Sequence, residues 1–255
     1  MLAALALALQ LQAPADTVLF PPRESLLRLY TNCDEARWPW GTDETFVPKT
    51  TDELRAGVAR RRALEARWRE VFLARAGDSL PATPEGQRAY PLGVRGRLID
   101  NFHQARAGGE HEALDIFVPA EGVAVLSPVT GLVIAAGDHW QGGWRRRGGF
   151  YYEGGGLSRR AGNGAIVFEP STGTYYYLAH LKDSSVVVAA GDLVRAGQPV
   201  GRVGHSGNAS QPGHGRHLHF AVKHEGTGCS VDGVLIALDP YAWMLPARSR
   251  VAAGR

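Results

Sequence analysis

The stretch HEALDIFVPAEGVAVLSPVTGLVIAAGD (111–138) carries the clearest architectural signal in the chain. Three apolar runs, LDIF (114–117), VAVL (123–126) and LVIA (132–135), are separated by Pro119, Gly122, Pro128 and Gly131. Runs this short, rich in Val, Ile and Leu and bounded by turn residues, read as strands. The same texture continues in AIVF (165–168), YYYL (175–178), VVV (186–188), PVGRV (199–203) and HLHFAV (217–222). No long amphipathic helix interrupts them. The pattern predicts a mainly β domain, an antiparallel sandwich or barrel, and disfavours a βαβ architecture.

Upstream the pattern changes. Thr50, Thr51 and Asp52 offer helix-capping chemistry, and Leu54, Val58, Leu64, Trp68, Val71 and Phe72 recur near helical spacing before Gly77. One long helix packed against the rest of the protein is expected, with the arginines at 60–62 on a solvated face. A shorter helical candidate covers 23–30. Residues 1–12, MLAALALALQLQ, have the length of a signal-peptide apolar region and fall short of the roughly 20 residues of a membrane span. Ala13 and Ala15 follow as cleavage points, although no basic residues precede the apolar run; a buried N-terminal helix is the competing reading. The expected organisation is a signal peptide over 1–15, a smaller and partly helical region over 16–90, a β domain over 91–245 and a tail over 246–255. Export and no transmembrane span follow. Cys33 and Cys229 fit either a disulfide or two buried thiols, and neither has zinc-finger spacing.

The chain has 255 residues, 44% of them hydrophobic and 21% charged, which excludes wholesale disorder. Its formal charge of +3 is small and scattered, so nucleic acid is not an expected partner. The exception is the Gly- and Arg-rich segment 139–162, with Trp140, Trp144, Phe150, Tyr151, Tyr152 and the arginines at 145–147. It could bind nucleic acid or line a groove for a sugar or peptide polymer. A surface insertion is the simpler reading.

All nine histidines fall at position 103 or later. In HLH (217–219) a strand would project His217 and His219 from one face and Leu218 from the other. His111 and Asp115, four apart, share a face as well. A zinc that activates water takes three His or carboxylate ligands and keeps a fourth position open. His111, Asp115 and one member of the HLH pair make such a set, leaving the other for acid–base work, with His180 as a further imidazole. Zinc there lowers the pKa of a water and polarises a carbonyl, while an unligated His moves the proton and a second N–H steadies the oxyanion. No G-x-S-x-G elbow is present, and Ala113-Leu114-Asp115 after Glu112 breaks the H-E-x-x-H pattern.

Taken together, HEALDIFVPAEGVAVLSPVTGLVIAAGD, YYYLAHL (175–181), GDLVRAGQPVGRVGHSGN (191–208), HGRHLHFAV (214–222) and DPYAW (239–243) resemble, in order, the M23 peptidases, the lysostaphin- and LytM-like zinc endopeptidases. The resemblance implies a mostly antiparallel β fold with Zn2+ in a groove floored by the sheet. It implies hydrolysis of peptide bonds in bacterial peptidoglycan stems or cross-links, in the periplasm, cell envelope or medium. His111, Asp115 and His219 correspond to the zinc ligands, and His180 and His217 to the catalytic pair. Ala113 stands where the family commonly has Gly, without removing a ligand. The alternative is a non-catalytic LytM-like module that binds the wall or activates a separate amidase; five filled site positions favour an enzyme. His103, His139, His205, His214 and His224 match no ligand position. Arg216 fits either a substrate carboxylate or a structural salt bridge.

Overall fold

The computed structural model describes residues 19–20, 50–77, 82–84, 87–106, 109–145, 149–227 and 231–251. Residues 1–15, expected as a signal peptide, the 23–30 helix candidate, Cys33 and Cys229 lie outside them.

The long helix forms as α1 (Thr51–Ala76). Thr50 Oγ1 accepts the Glu53 amide at 3.2 Å, and the Glu53 carboxylate accepts the Thr50 amide at 2.8 Å, a reciprocal cap. Gly77, at φ 49°, ends it. The apolar stripe faces the protein: Trp68 is fully buried, meets Phe168 at 5.5 Å between ring centroids and donates its indole N–H to Leu19 O at 2.8 Å. Burying one such side chain contributes on the order of 1.5–3 kcal/mol. The arginine run departs from expectation, because Arg61 has no exposed surface. Its guanidinium reaches Glu65 at 2.9 Å, Gly233 O at 2.7 Å and the Glu225 carboxylate, tying α1 to the β domain.

The β domain is built on one antiparallel sheet. Its strands are β1 (Arg97–Leu98), β4 (Leu114–Phe117), β6 (Gly131–Gly137), β9 (Asn163–Glu169), β10 (Thr174–Leu181), β11 (Leu193–Val194), β13 (His217–Glu225) and β14 (Leu235–Leu238). They run in the order β1-β4-β13-β10-β9-β6-β11, with β14 also on β13. Among the described residues three antiparallel ribbons sit outside it: β2 (Ala105–Arg106) with β3 (Gly109–Glu110), β5 (Ala124–Leu126) with β12 (Pro199–Arg202), and β7 (Gln141–Arg145) with β8 (Gly149–Gly154). The mainly β, antiparallel expectation is met.

Both faces of the sheet are covered, which explains why its strands read as continuous apolar runs rather than as alternating ones. Val133, Val167, Tyr176, Leu178, Leu218 and Phe220 pack one way, against Val125 and Val200 of the ribbon and Met244 of α2 (Tyr241–Ser249). Leu132, Ile134, Ile166, Phe168, Tyr175 and Tyr177 pack the other way, where Trp68 and Phe72 of α1 join them. The remainder of that second face is left open as a groove.

Two segments differ from the sequence reading. VVV (186–188) is no strand: the Asp138 carboxylate accepts the Ser184 and Val186 amides, at 3.0 and 3.2 Å, and Val187 is exposed. The insertion 139–162 is largely a hairpin, β7 (Gln141–Arg145) paired with β8 (Gly149–Gly154). Trp140 and Phe150 meet at 5.9 Å, and the Trp140 indole N–H bonds Arg159 O at 3.2 Å.

Candidate metal centre and groove

Strand β13 supplies the floor. Its pleat sends Leu218, Phe220 and Val222 into the apolar layer and His217, His219, Ala221 and Lys223 toward the groove. The β13–β4 register sets His219 directly opposite Asp115. His111 lies just before β4 and is pinned by two backbone bonds, its N–H to Gln104 O and the His103 N–H to its own carbonyl, both 2.9 Å.

These placements converge three donor atoms. His111 Nε2 is 3.3 Å from His219 Nδ1 and 3.4 Å from Asp115 Oδ1, and His219 Nδ1 is 3.2 Å from Asp115 Oδ1. Tetrahedral ligands about 2.0–2.1 Å from a zinc ion stand about 3.3–3.4 Å from one another. The donor set therefore fits zinc in chemistry and in spacing. The second nitrogen of His111 supports the same reading: Nδ1–H donates to Asn101 O at 3.1 Å, leaving Nε2 as the lone-pair atom.

The Asp115 carboxylate is divided between two tasks. Oδ1 faces the imidazoles, whereas Oδ2 accepts from Asn101 Nδ2 at 3.1 Å and from the Arg106 guanidinium at 3.0 Å. Burial opposes its ionisation. When the imidazoles carry protons in place of an ion, hydrogen bonds from His111 and His219 and the charges of His219 and His217 outweigh burial and hold the group far below the usual carboxylate range.

His217 and His180 stand beside the triangle. His217 Nε2 lies 3.6 Å from Asp115 Oδ1, and its Nδ1–H donates to Gly215 O at 2.7 Å. His180 arrives through an irregularity in β10: pairing with β9 shifts register between Ala179 and Leu181, and His180 takes φ 64°. This bulge turns the ring onto the groove side, T-shaped to His217 at 4.9 Å. Its Nδ1 is held 2.9 Å from Ser206 O and 3.1 Å from Ala161 O. Those two carbonyls come close because Gly162 and Gly207, each at φ 68°, let their loops touch; a Cβ on Gly162 would stand 2.3 Å from Ser206 Oγ. Burial pushes the pKa of both His180 and His217 down, and for His180 the neighbouring His217 and His219 push it further. Both rings are therefore neutral near pH 7, with Nε2 free to accept a proton.

The groove above has a volume of about 820 Å³. Tyr177, Ala221 and Lys223 line it beyond the imidazoles, together with Arg160 and Asn208 on one side and residues 99–104 on another. The Lys223 ammonium, almost wholly buried, is paired with Glu112; burial lowers its pKa and Glu112 counteracts this.

All five sequence-derived positions thus meet in one place. Of the remaining histidines, His103 and His214 line the groove, and His103 pairs with Glu110 at 2.6 Å. His205 pairs with Glu121, and Arg216 reaches the same carboxylate at 3.4 Å, the structural salt bridge of its two readings. His224 meets Thr174 Oγ1 at 3.4 Å. His139 joins Asp138 and Asp183 in a second group of potential ligands, but Asp138 is occupied by backbone amides. The sequence reading missed Asn101 and Arg106; they lie in a polar stretch where no spacing motif marks them.

Fold and site define an antiparallel β protein with a His–Asp–His candidate metal centre flanked by two unligated imidazoles. Residues 109–231 match the model of peptidase family M23. The chain is 30% identical over 145 residues to the L-Ala--D-Glu endopeptidase of Bacillus subtilis (strain 168), a match covering 54% of this chain and 38% of that protein. Among solved structures it is similar to the antimicrobial peptidase lysostaphin from Staphylococcus simulans, with 22% identity, TM-score 0.40 and coverage of 65% of this chain and 58% of that one. A zinc-containing peptidase from Vibrio cholerae is also similar, with 22% identity, TM-score 0.38 and coverage of 56% and 37%. Among the described residues, no helix is long and apolar enough to cross a membrane.

Proposed function

We propose that the protein is a zinc-dependent endopeptidase that hydrolyses peptide bonds in the stems or cross-links of bacterial peptidoglycan. The observation that carries this reading is the donor triangle of His111, Asp115 and His219, with edges of 3.2–3.4 Å, open toward a groove and flanked by His180 and His217. Zinc held there supplies Lewis acidity, polarising a scissile carbonyl and acidifying a water. The protein's own groups do the rest. His180 and His217 have Nδ1–H committed to backbone carbonyls, so each takes up a proton at Nε2 and returns it to the departing amine. Once protonated, either ring is an N–H donor for the negative charge that develops on the carbonyl oxygen. The sheet floor leaves room for an extended peptide. The peptidoglycan substrate is supported by the match of residues 109–231 to the M23 peptidase model and by the L-Ala--D-Glu bond in the name of the Bacillus relative. In this reading residues 1–15 direct export, and the catalytic domain covers 91–245.

The test is metal analysis and digestion on the same preparation. Wild-type protein should hold about one zinc per chain and release peptides from muropeptides, identified by mass spectrometry. His111→Ala should lose both. Full cleavage by that variant, or wild-type protein that takes up no zinc, overturns the proposal. Zinc uptake without cleavage of any wall peptide favours the non-catalytic module instead.

A further inference from the structure

Asp115 differs from the other two donors in having a second atom able to reach the same ion. A carboxylate left alone at such a site can rotate and chelate through both oxygens. That would use the coordination position which a hydrolytic zinc keeps open. Here Oδ2 is held away by two donors from outside the strand. Asn101 Nδ2 stands at 3.1 Å and the Arg106 guanidinium at 3.0 Å, and Asn101 Oδ1 accepts the Asp115 amide at 3.2 Å. Asn101 also receives the His111 Nδ1–H on its carbonyl, so one residue orients two of the three donors.

Arg106 is the unexpected member. Its side chain is 41% exposed, and it reaches Asp115 from the β2–β3 ribbon, which belongs to none of the ligand-bearing strands. A fixed positive charge this close to a cation site repels the incoming ion directly. A charge-assisted bond to Oδ2, however, locks the orientation of the carboxylate. Where such outer partners of ligating groups have been removed in other metal sites, metal affinity fell 10–100-fold, so orientation outweighs repulsion.

We infer that Arg106, acting with Asn101, is a positioning residue that restricts Asp115 to one-oxygen ligation through Oδ1 and thereby keeps a coordination position open. The inference rests on the zinc reading above. It assigns the β2–β3 ribbon a function, namely delivery of a guanidinium to the back of a ligand.

The experiment compares wild-type protein with Arg106→Met, which keeps the aliphatic stem and removes every donor, and with Arg106→Lys, which returns one cationic donor. Zinc affinity is measured by competition with a chromogenic chelator, and coordination number by the visible absorption of the Co(II)-loaded protein. Arg106→Met should bind zinc about 10–100-fold more weakly. Its Co(II) bands should be weaker than the intense bands of a four-coordinate site, and Arg106→Lys should recover toward wild type in both readouts. Thermal melts of the three metal-free proteins verify the fold. Unchanged affinity and an unchanged cobalt spectrum in Arg106→Met, with wild type binding zinc, overturn this inference and leave the peptidase reading intact. A wild-type protein that binds no zinc removes the peptidase reading and this inference together.

Discussion

Replacing His180 by Ala separates proton transfer from metal binding. The ring contributes no atom to the donor triangle, and its Nδ1 is anchored on Ser206 O at 2.9 Å, so removing it leaves the zinc ligands in place. General acid–base groups contribute about 10²–10⁴-fold to rate, equivalent to roughly 2.7–5.4 kcal/mol of barrier. His217, T-shaped to His180 at 4.9 Å and with its own Nε2 free, takes over part of the task. The expected loss is therefore in the lower half of that range, about 10²–10³-fold in kcat. KM and zinc content should stay near wild type. The His180→Ala/His217→Ala double variant should lose more than the product of the two single losses, because each single variant keeps the other ring as a partial substitute. His180→Gly is the control for backbone strain, since φ 64° suits Gly and not Ala. The assay is steady-state cleavage of a purified stem peptide, with zinc quantified on the same samples. A fully zinc-loaded His180→Ala enzyme with kcat within about threefold of wild type would refute the assigned role.

Three further outcomes are expected. Arg61→Met leaves the buried Glu65 carboxylate without its 2.9 Å partner and should destabilise the protein by about 3–5 kcal/mol in urea denaturation. The Arg61→Met/Glu65→Met double variant should recover much of this, and a single-variant cost under about 1 kcal/mol would contradict the buried-pair argument. Glu225 is held below its ordinary pKa by a hydrogen bond from Arg62, against burial, with help from the Arg61 and Arg62 charges. Its contribution is complete above the unfolded pKa near 4.5 and is lost as pH falls through the lower folded value, so the slope of urea midpoint against pH below about 5 should flatten in Glu225→Gln. Adding zinc to metal-free protein at about a thousandfold excess over Kd should raise stability by about 4 kcal/mol, and a similar gain in His111→Ala would place the ion elsewhere.

The sheet was legible because its strands are buried on both faces, so each reads as a short apolar block rather than as a weak alternation. Strand β4 begins and ends where the LDIF block does. Misreadings occurred where a distant side chain changes what a local run can do. VVV (186–188) has the composition of a strand, yet Asp138, far away in sequence, takes two of the nearby amides. Three successive arginines look like a solvated surface until Glu225, 164 positions beyond Arg61, meets the middle one. The β7–β8 hairpin escaped notice because Gly and Arg dilute its apolar pattern, and its Trp140 and Phe150 rings pack locally instead of into the main core.

The candidate site divides along the same line. Its candidate residues could be read from spacing because strand geometry converts spacing into direction, and His217 and His219 share a face by the pleat. Which of the two is the ligand came only from the resemblance to M23 peptidases, and in the fold the register brings Asp115 opposite His219. Their orientation could not be read this way, because it comes from groups with no fixed offset. The Ser206 and Gly215 carbonyls select the free nitrogen of His180 and His217, and Asn101 and Arg106 select the free oxygen of Asp115. His180 depends on both kinds of information, since its place at a strand end is local but its direction comes from a bulge supported by two touching glycine loops. Spacing motifs therefore identify which atoms can bind and react, whereas reactivity depends on which lone pair each residue presents. Substitutions at Asn101, Arg106, Gly162 or Gly207 would preserve every residue of the motif and still change what the motif does.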